Sequence, residues 1–398
     1  MSTSWILKCT DVPQFDALQS AAAEFQTDDK LHLRNLCNDS ARCAGLTAVH
    51  TSEGYRKMIF DYSRQQVTGE TMELLFDLAD AVGFTQRREA FRSGERINTT
   101  EDKAVLHHLL RMPKDYHFTG SVHSLADKIL EDIHSVRDTI EQFTRKVRSG
   151  AHKGVTGKAL KHTIVITSGG VHLGTEFVHE ALAADEKAAK AASGRGLHFL
   201  SNVDPVDTFL TTRGLDPAET IVVVVSKEFN PGETLNAHSI RHWLVSNLAR
   251  EGSISEQAIV ETHMFAVTSM GANFATVGIP KRNIFKIWEW VIGRFSVTSA
   301  AGLLPLSLQY SYDIMTQFLN GAHDMDEHFF NAPLRDNIPV LMGMLGVWNS
   351  TFMGYTSRVV LPYAQSLRRL PAFVQLVDMT SNGKRVALDG VELLHSSA

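Results

Sequence analysis

Thr163-Ile164-Val165-Ile166-Thr167-Ser168-Gly169-Gly170-Val171-His172-Leu173-Gly174 is the stretch that sets the fold class. Its first five residues are all β-branched, and such a short run favours a buried strand. The Gly169-Gly170 pair permits a tight turn, and a helix is expected over about residues 175–191. Glycines between a strand and a helix let backbone N–H groups converge on an anion at the helix N-terminus; a tight connection in any α/β fold has the same appearance. Further strands are expected at residues 198–203, 221–225 and 262–268. Continuous apolar strands alternating with helices point to a parallel sheet covered on both faces.

Upstream, a long amphipathic helix is expected over residues 125–147, in a part whose texture changes at about Ser121. The chain before Arg111 reads as helical, with Met72, Leu75, Phe76, Ala79 and Val82 at the spacing of one apolar stripe. A helix is expected over residues 104–110, capped by Thr100 or Asn98 and stopped by Met112-Pro113. Downstream of Trp288, helices are expected over residues 299–309, 315–330 and 340–352. Val359-Val360-Leu361 then reads as the first strand of another sheet, stopped by Pro362 and followed by a helix over 365–376. A sheet beginning there has little sequence after it to supply its neighbours. The expected organisation is an N-terminal helical segment (1–120), a first α/β domain (121–290) and the start of a second, incomplete one (291–398).

Over 398 residues, 43% apolar and 21% charged residues describe an ordinary globular chain, and no run of eighteen apolar residues could span a bilayer. A formal charge of −5 gives no basic face for nucleic acid. Cys9, Cys37 and Cys43 form no CxxC pair and read as reduced thiols. With no secretory signal visible in the first ten residues, cytoplasm is the expected compartment. Neither a cofactor nor a metal is expected: His107-His108 and His323-Asp324 lack metal spacing of their own and read as structural.

Several segments, in order, carry a resemblance. They are the strand-glycine-helix stretch above, Ile97 to Glu101 with Ala104-Val105-Leu106-His107, Ser201-Asn202-Val203-Asp204, Ser226-Lys227-Glu228-Phe229, Glu233-Thr234, Trp288-Glu289-Trp290-Val291-Ile292-Gly293-Arg294-Phe295-Ser296, Gly321-Ala322-His323 and Leu361-Pro362-Tyr363. From about Phe60 to Lys384 the chain resembles glucose-6-phosphate isomerase. The resemblance implies two doubly wound, parallel-sheet sugar-isomerase-type α/β domains, here with the second incomplete. It also implies a dimer, and interconversion of glucose 6-phosphate and fructose 6-phosphate through an enediol. In that mechanism a carboxylate moves a carbon-bound proton, an arginine stabilises the developing charge and a histidine opens the ring.

By that resemblance, Arg294 stands at the charge-stabilising position and Glu233 at one that orients the catalytic histidine. Gly170, Ser226, Lys227 and Thr234 stand at phosphate-binding positions. The family's base is the glutamate of an Asp-Met-Glu-Ser-Asn-Gly-Lys segment, which here reads Asp378-Met379-Thr380-Ser381-Asn382-Gly383-Lys384. A threonine hydroxyl is too weak a base for that proton, and losing general-base catalysis removes a factor of about 10² to 10⁴. Asp378 is expected to point elsewhere. Val171 stands in place of a serine, and Glu228 and Pro231 in place of two threonines. Two unit charges about 4 Å apart repel by roughly 1 to 4 kcal/mol, so Glu228 disfavours a dianion. The family's ring-opening histidine and a later lysine fall beyond Ala398.

The residues alone leave alternatives open. Arg294 could stack on an aromatic face, Lys227 could pair with Glu228, and His172 could be a polar residue of a helix start. The expectation is a catalytically impaired pseudoenzyme acting by association, as a homodimer or with a full-length relative, or by weakened binding of a sugar phosphate or related sugar. The competing expectations are an active isomerase completed by a partner subunit or a missing C-terminal segment, and an altered ligand such as an uncharged or amino-bearing polyol.

Overall fold

The computed structural model describes residues 8–52, 54, 57–116, 123–249, 254–269 and 274–393. Residues 121 and 122, where the α/β part was expected to begin, lie outside the described residues, as do the first seven. Two compact units interleave along the chain: Met1–Val105, Gly321–Val359 and Asp378–Ala398 form one, Leu106–Asn320 and Val360–Val377 the other.

The first unit is helical around a two-stranded hairpin that the sequence did not announce, β1 (Thr47–His50) antiparallel to β2 (Met58–Asp61). The helix Gly69–Ala81 starts at a capping box in which Thr68 and Thr71 exchange hydrogen bonds. Its predicted stripe is core at Met72, Leu75, Phe76 and Ala79, joined by Leu18, Leu341 and Trp348. The indole N–H of Trp348 donates to the Gln66 carbonyl at 2.9 Å, so the buried ring keeps its polar atom satisfied. His50 Nε2 meets Asp324 at 2.7 Å, tying the hairpin to the chain that re-enters the unit. The helix expected over 340–352 is Ile338–Val347 followed by a wider turn, Trp348–Phe352.

The second unit carries the α/β architecture. β3 (His162–Ile166), β4 (Gly196–Leu200), β5 (Thr220–Val225), β6 (Met264–Thr268) and β7 (Ile284–Lys286) form one parallel sheet in the order β4-β3-β5-β6-β7. Ile164 lies in register with His198 on one side and Val222 on the other. All six residues of β5 are buried, as a continuous apolar run in a covered sheet must be. The chain leaves β3 toward β4 and returns to the other side as β5. A crevice therefore opens between the carboxyl ends of β3 and β5, where ligands bind in doubly wound sheets.

Four expectations are corrected by the local chemistry. The helix over 175–191 starts earlier and splits into Gly169–Leu182 and Glu186–Ala191, because Asp185 accepts the Ala188 N–H and caps a new start. Residues 104–106 are not helical. A bridge between Asn98 and Lys103 and the approach to Pro113 leave room only for the short 3₁₀ turn His107–Arg111. The helix over 365–376 is instead Leu370–Asn382, with Pro371 at its start and a separate turn Gln365–Leu367. Val359-Val360-Leu361 pairs with no strand among the described residues, and Val359 and Leu361 are 73% and 67% exposed. The α/β class stands on the five-stranded sheet. No helix among the described residues is long and apolar enough to cross a membrane.

Candidate functional site

Ser168, two residues past the end of β3, and Ser226, directly after β5, flank the crevice. Between them stands Glu233, third residue of the helix Pro231–Leu248 and only 6% exposed. Its two oxygens accept separate hydroxyls: Ser168 donates to Oε1 through a short contact, and Ser226 donates to Oε2 at 3.1 Å. A buried carboxylate needs such partners, and these two join the two strand ends through one side chain.

Of the other expected anion ligands, Lys227 lies in the loop between β5 and that helix and Thr234 in the helix's first turn. Thr234 Oγ1 donates to the Phe229 carbonyl at 3.2 Å, and Phe229 is held at φ 55°, in the left-handed region. The expected pairing of Lys227 with Glu228 is corrected. Lys227 Nζ donates to the Glu289 carbonyl at 2.5 Å and lies 3.4 Å from its carboxylate, because Trp288-Glu289-Trp290 returns the chain beside the loop. Glu228 is exposed instead, and Pro231 occupies the first turn of the helix, where no N–H is missed.

Arg294 lies in the 3₁₀ turn Gly293–Thr298, which packs directly on the start of the helix Gly169–Leu182. A β-carbon at Gly170 would stand 2.8 Å from the backbone nitrogen and α-carbon of Arg294, so glycine is required for this approach. The guanidinium sits 5.4 Å from the centre of the Phe295 ring, an aromatic contact of the kind considered for Arg294, but with Phe295 rather than a tryptophan. Behind it, buried His107 accepts the Ile292 N–H at 3.0 Å and packs edge-to-face on Trp290 and Phe295. Burial first, then the charges of Arg111 and Arg294, push His107 down to about 4, so its ring is a neutral acceptor. His172 lies inside the helix, 3.6 Å from Glu176 one turn on, and burial lowers its pKa.

Thr380 belongs to the first unit, while Arg294, Glu233, Gly170, Ser226, Lys227 and Thr234 belong to the second. It is exposed near the end of the helix Leu370–Asn382, and its carbonyl accepts from Lys384 at 2.8 Å. Asp378 precedes it by two positions, roughly 200° around the helix. Asp378 accepts from Asn382 at 2.7 Å and lines a cavity of about 550 Å³ walled by Leu75, Val340, Val347 and Phe352.

Two contributors escaped the sequence reading. Ser168 carried a signal, since the residues just past a strand end at a topological switch point lie at the crevice. Glu289 carried none, because its approach to Lys227 is made only by folding.

The family model described as phosphoglucose isomerase matches residues 61–398. The chain belongs to the phosphoglucose isomerase family. It is 45% identical over 381 residues to a cytosolic glucose-6-phosphate isomerase of Zea mays, covering 96% of this chain and 64% of that protein. The cytosolic A form from Oryza sativa subsp. japonica is 44% identical over 384 residues, with 96% and 64% covered. This phosphoglucose isomerase family member thus spans less than two thirds of the length of those relatives. A crystal structure of a glucose-6-phosphate isomerase from Chlamydia trachomatis superposes with a TM-score of 0.80 at 26% identity, covering 98% of this chain and 70% of that one.

Proposed function

We propose that this chain is an isomerase-family scaffold impaired in the interconversion of glucose 6-phosphate and fructose 6-phosphate, acting in the cytoplasm by subunit association, as a homodimer or with a longer relative, or by weak sugar binding. One observation carries the reading: Thr380 stands where the family's motif has its catalytic glutamate. A threonine hydroxyl is too weak a base to accept a carbon-bound proton at neutral pH. The carboxylate nearest in sequence on its N-terminal side, Asp378, lies roughly 200° around the same helix and accepts from Asn382. Arg294, Glu233 and the glycine turn are retained, which supports inheritance of the scaffold. Val171, Glu228 and Pro231 weaken its phosphate loop.

A second reading, an active isomerase completed by a partner subunit or further chain, is favoured by the 64% share of the maize relative that this chain spans. A coupled assay of fructose 6-phosphate conversion, with the maize enzyme measured alongside, separates the two. Impairment predicts turnover lower by about 10² or more. Turnover within tenfold of the maize enzyme rejects it, and activity appearing only on mixing with a longer subunit selects the second reading.

A further inference from the structure

β4 is the edge strand of the parallel sheet, and its third residue, His198, meets a histidine of the neighbouring strand. Gly196 pairs with His162 in the register of β3 and β4, and His198 lies two residues further on, so both imidazoles stand on one face of the sheet. His198 Nε2 lies 3.4 Å from His162 Nδ1. Gly196 keeps the space beside them clear. A β-carbon there would stand 2.7 Å from His198 Nε2 and 2.8 Å from His162 Nδ1, so an alanine would push the rings off this spacing. His162 begins β3, at the end of the sheet opposite the crevice, so the pair lies apart from the isomerase site.

The separation decides between two uses of the pair. An N–H bond ordinarily closes to about 2.7–3.2 Å between heavy atoms. Two nitrogens held at about 2.1 Å from one tetrahedral ion stand about 3.4 Å apart, whereas octahedral or square-planar coordination brings neighbours to about 3.0 Å. The observed spacing is the tetrahedral one. Burial first, then the neighbouring His162 and His179, lower the pKa of His198, so at neutral pH its ring is the free base that a metal requires. The ring pair His50 and His328, by contrast, is spent: His50 Nε2 meets Asp324 and His328 Nε2 accepts the Ile338 N–H.

We propose that His162 Nδ1 and His198 Nε2 form a zinc site that clamps the edge strand β4 to β3. Among the described residues no third histidine, cysteine or carboxylate completes a cluster with them, so water fills the remaining positions and the ion is exchangeable. No metal was expected from the sequence because these two ligands lie 36 residues apart and meet only through strand register.

Titration calorimetry on the full chain, stripped with a chelator and dialysed, with zinc chloride as the probe, tests the site. Expected is one strong site per chain, weakened tenfold or more in His162→Gln and in His198→Gln. Gly196→Ala, which removes neither ligand, should weaken it as much while circular dichroism shows a folded chain. Zinc should also slow hydrogen exchange at Leu197 to Leu200 in the unaltered chain and in neither histidine variant. Absence of stoichiometric zinc binding, or affinity within threefold of the unaltered chain in both histidine variants, overturns the proposal. Zinc binding that leaves exchange in β4 unchanged overturns the clamp.

Discussion

At Gly170 a methyl group would press on the Arg294 backbone from 2.8 Å, closer than real β-carbons approach a neighbour, and backbone cannot rotate away. Gly170→Ala should therefore destabilise the protein by about 1–3 kcal/mol in urea unfolding; a loss under a few tenths would show that the turn yields freely. The glycine pair was legible as a turn, but the turn that crowds it comes from residues 293–298 and no local pattern announces that. His107 was legible only as structural. Its folded pKa, about 4, lies below the ordinary 6.5, so on acidification the unfolded chain takes up the proton first. The stability it contributes is complete above about pH 6.5 and is lost as pH falls toward 4, by at most about 3 kcal/mol. His134 is also held near 4, by burial and then Arg137, and works in the same window. His107→Asn should reduce the stability slope between those pH values, to which His172, His179, His198 and His263, also lowered by burial, add in the same direction. An unaltered slope would show that the histidine is not held neutral.

Among the elements, those with a long period were readable: the helix His123–Ser149, the helix Tyr312–Asn331 and the apolar run of β5 all lie where the pattern puts them. Short elements were not, because three or four residues carry too little periodicity to outweigh their neighbours. β7 is the clearest case, three residues at the sheet edge with a lysine at its end. What fixes it is remote in sequence. Asp132, on the helix His123–Ser149, accepts from both Lys286 Nζ and, at 2.7 Å, Trp288 Nε1. Removing that acceptor leaves two donors without it, so Asp132→Ala should cost about 1–2 kcal/mol. The loss should be local first, read as faster hydrogen exchange at Phe285 and Lys286. Faster exchange across β3 and β5 instead would mean that Asp132 supports the whole sheet.

For the molecule as a whole, the order of the motifs disclosed the family, since order survives divergence better than any one residue. The interleaving of the two units was hidden, because it depends on which distant segments pack together. The association proposed for this chain needs a surface, and the segment misread as a strand offers one: Val359, Leu361 and Tyr363 are 73%, 67% and 97% exposed. Exposed apolar side chains close together in sequence are a surface that burial against a second chain would stabilise. If this segment drives association, the 44.1 kDa chain should sediment as a larger species, and the Val359→Ser/Leu361→Ser/Tyr363→Ser variant should shift to the monomer mass. Because all three side chains are exposed, the variant should keep its unfolding midpoint, so a change in mass could not be ascribed to misfolding. A chain that stays monomeric at every concentration defeats the association. An unshifted triple variant moves the contact to another face.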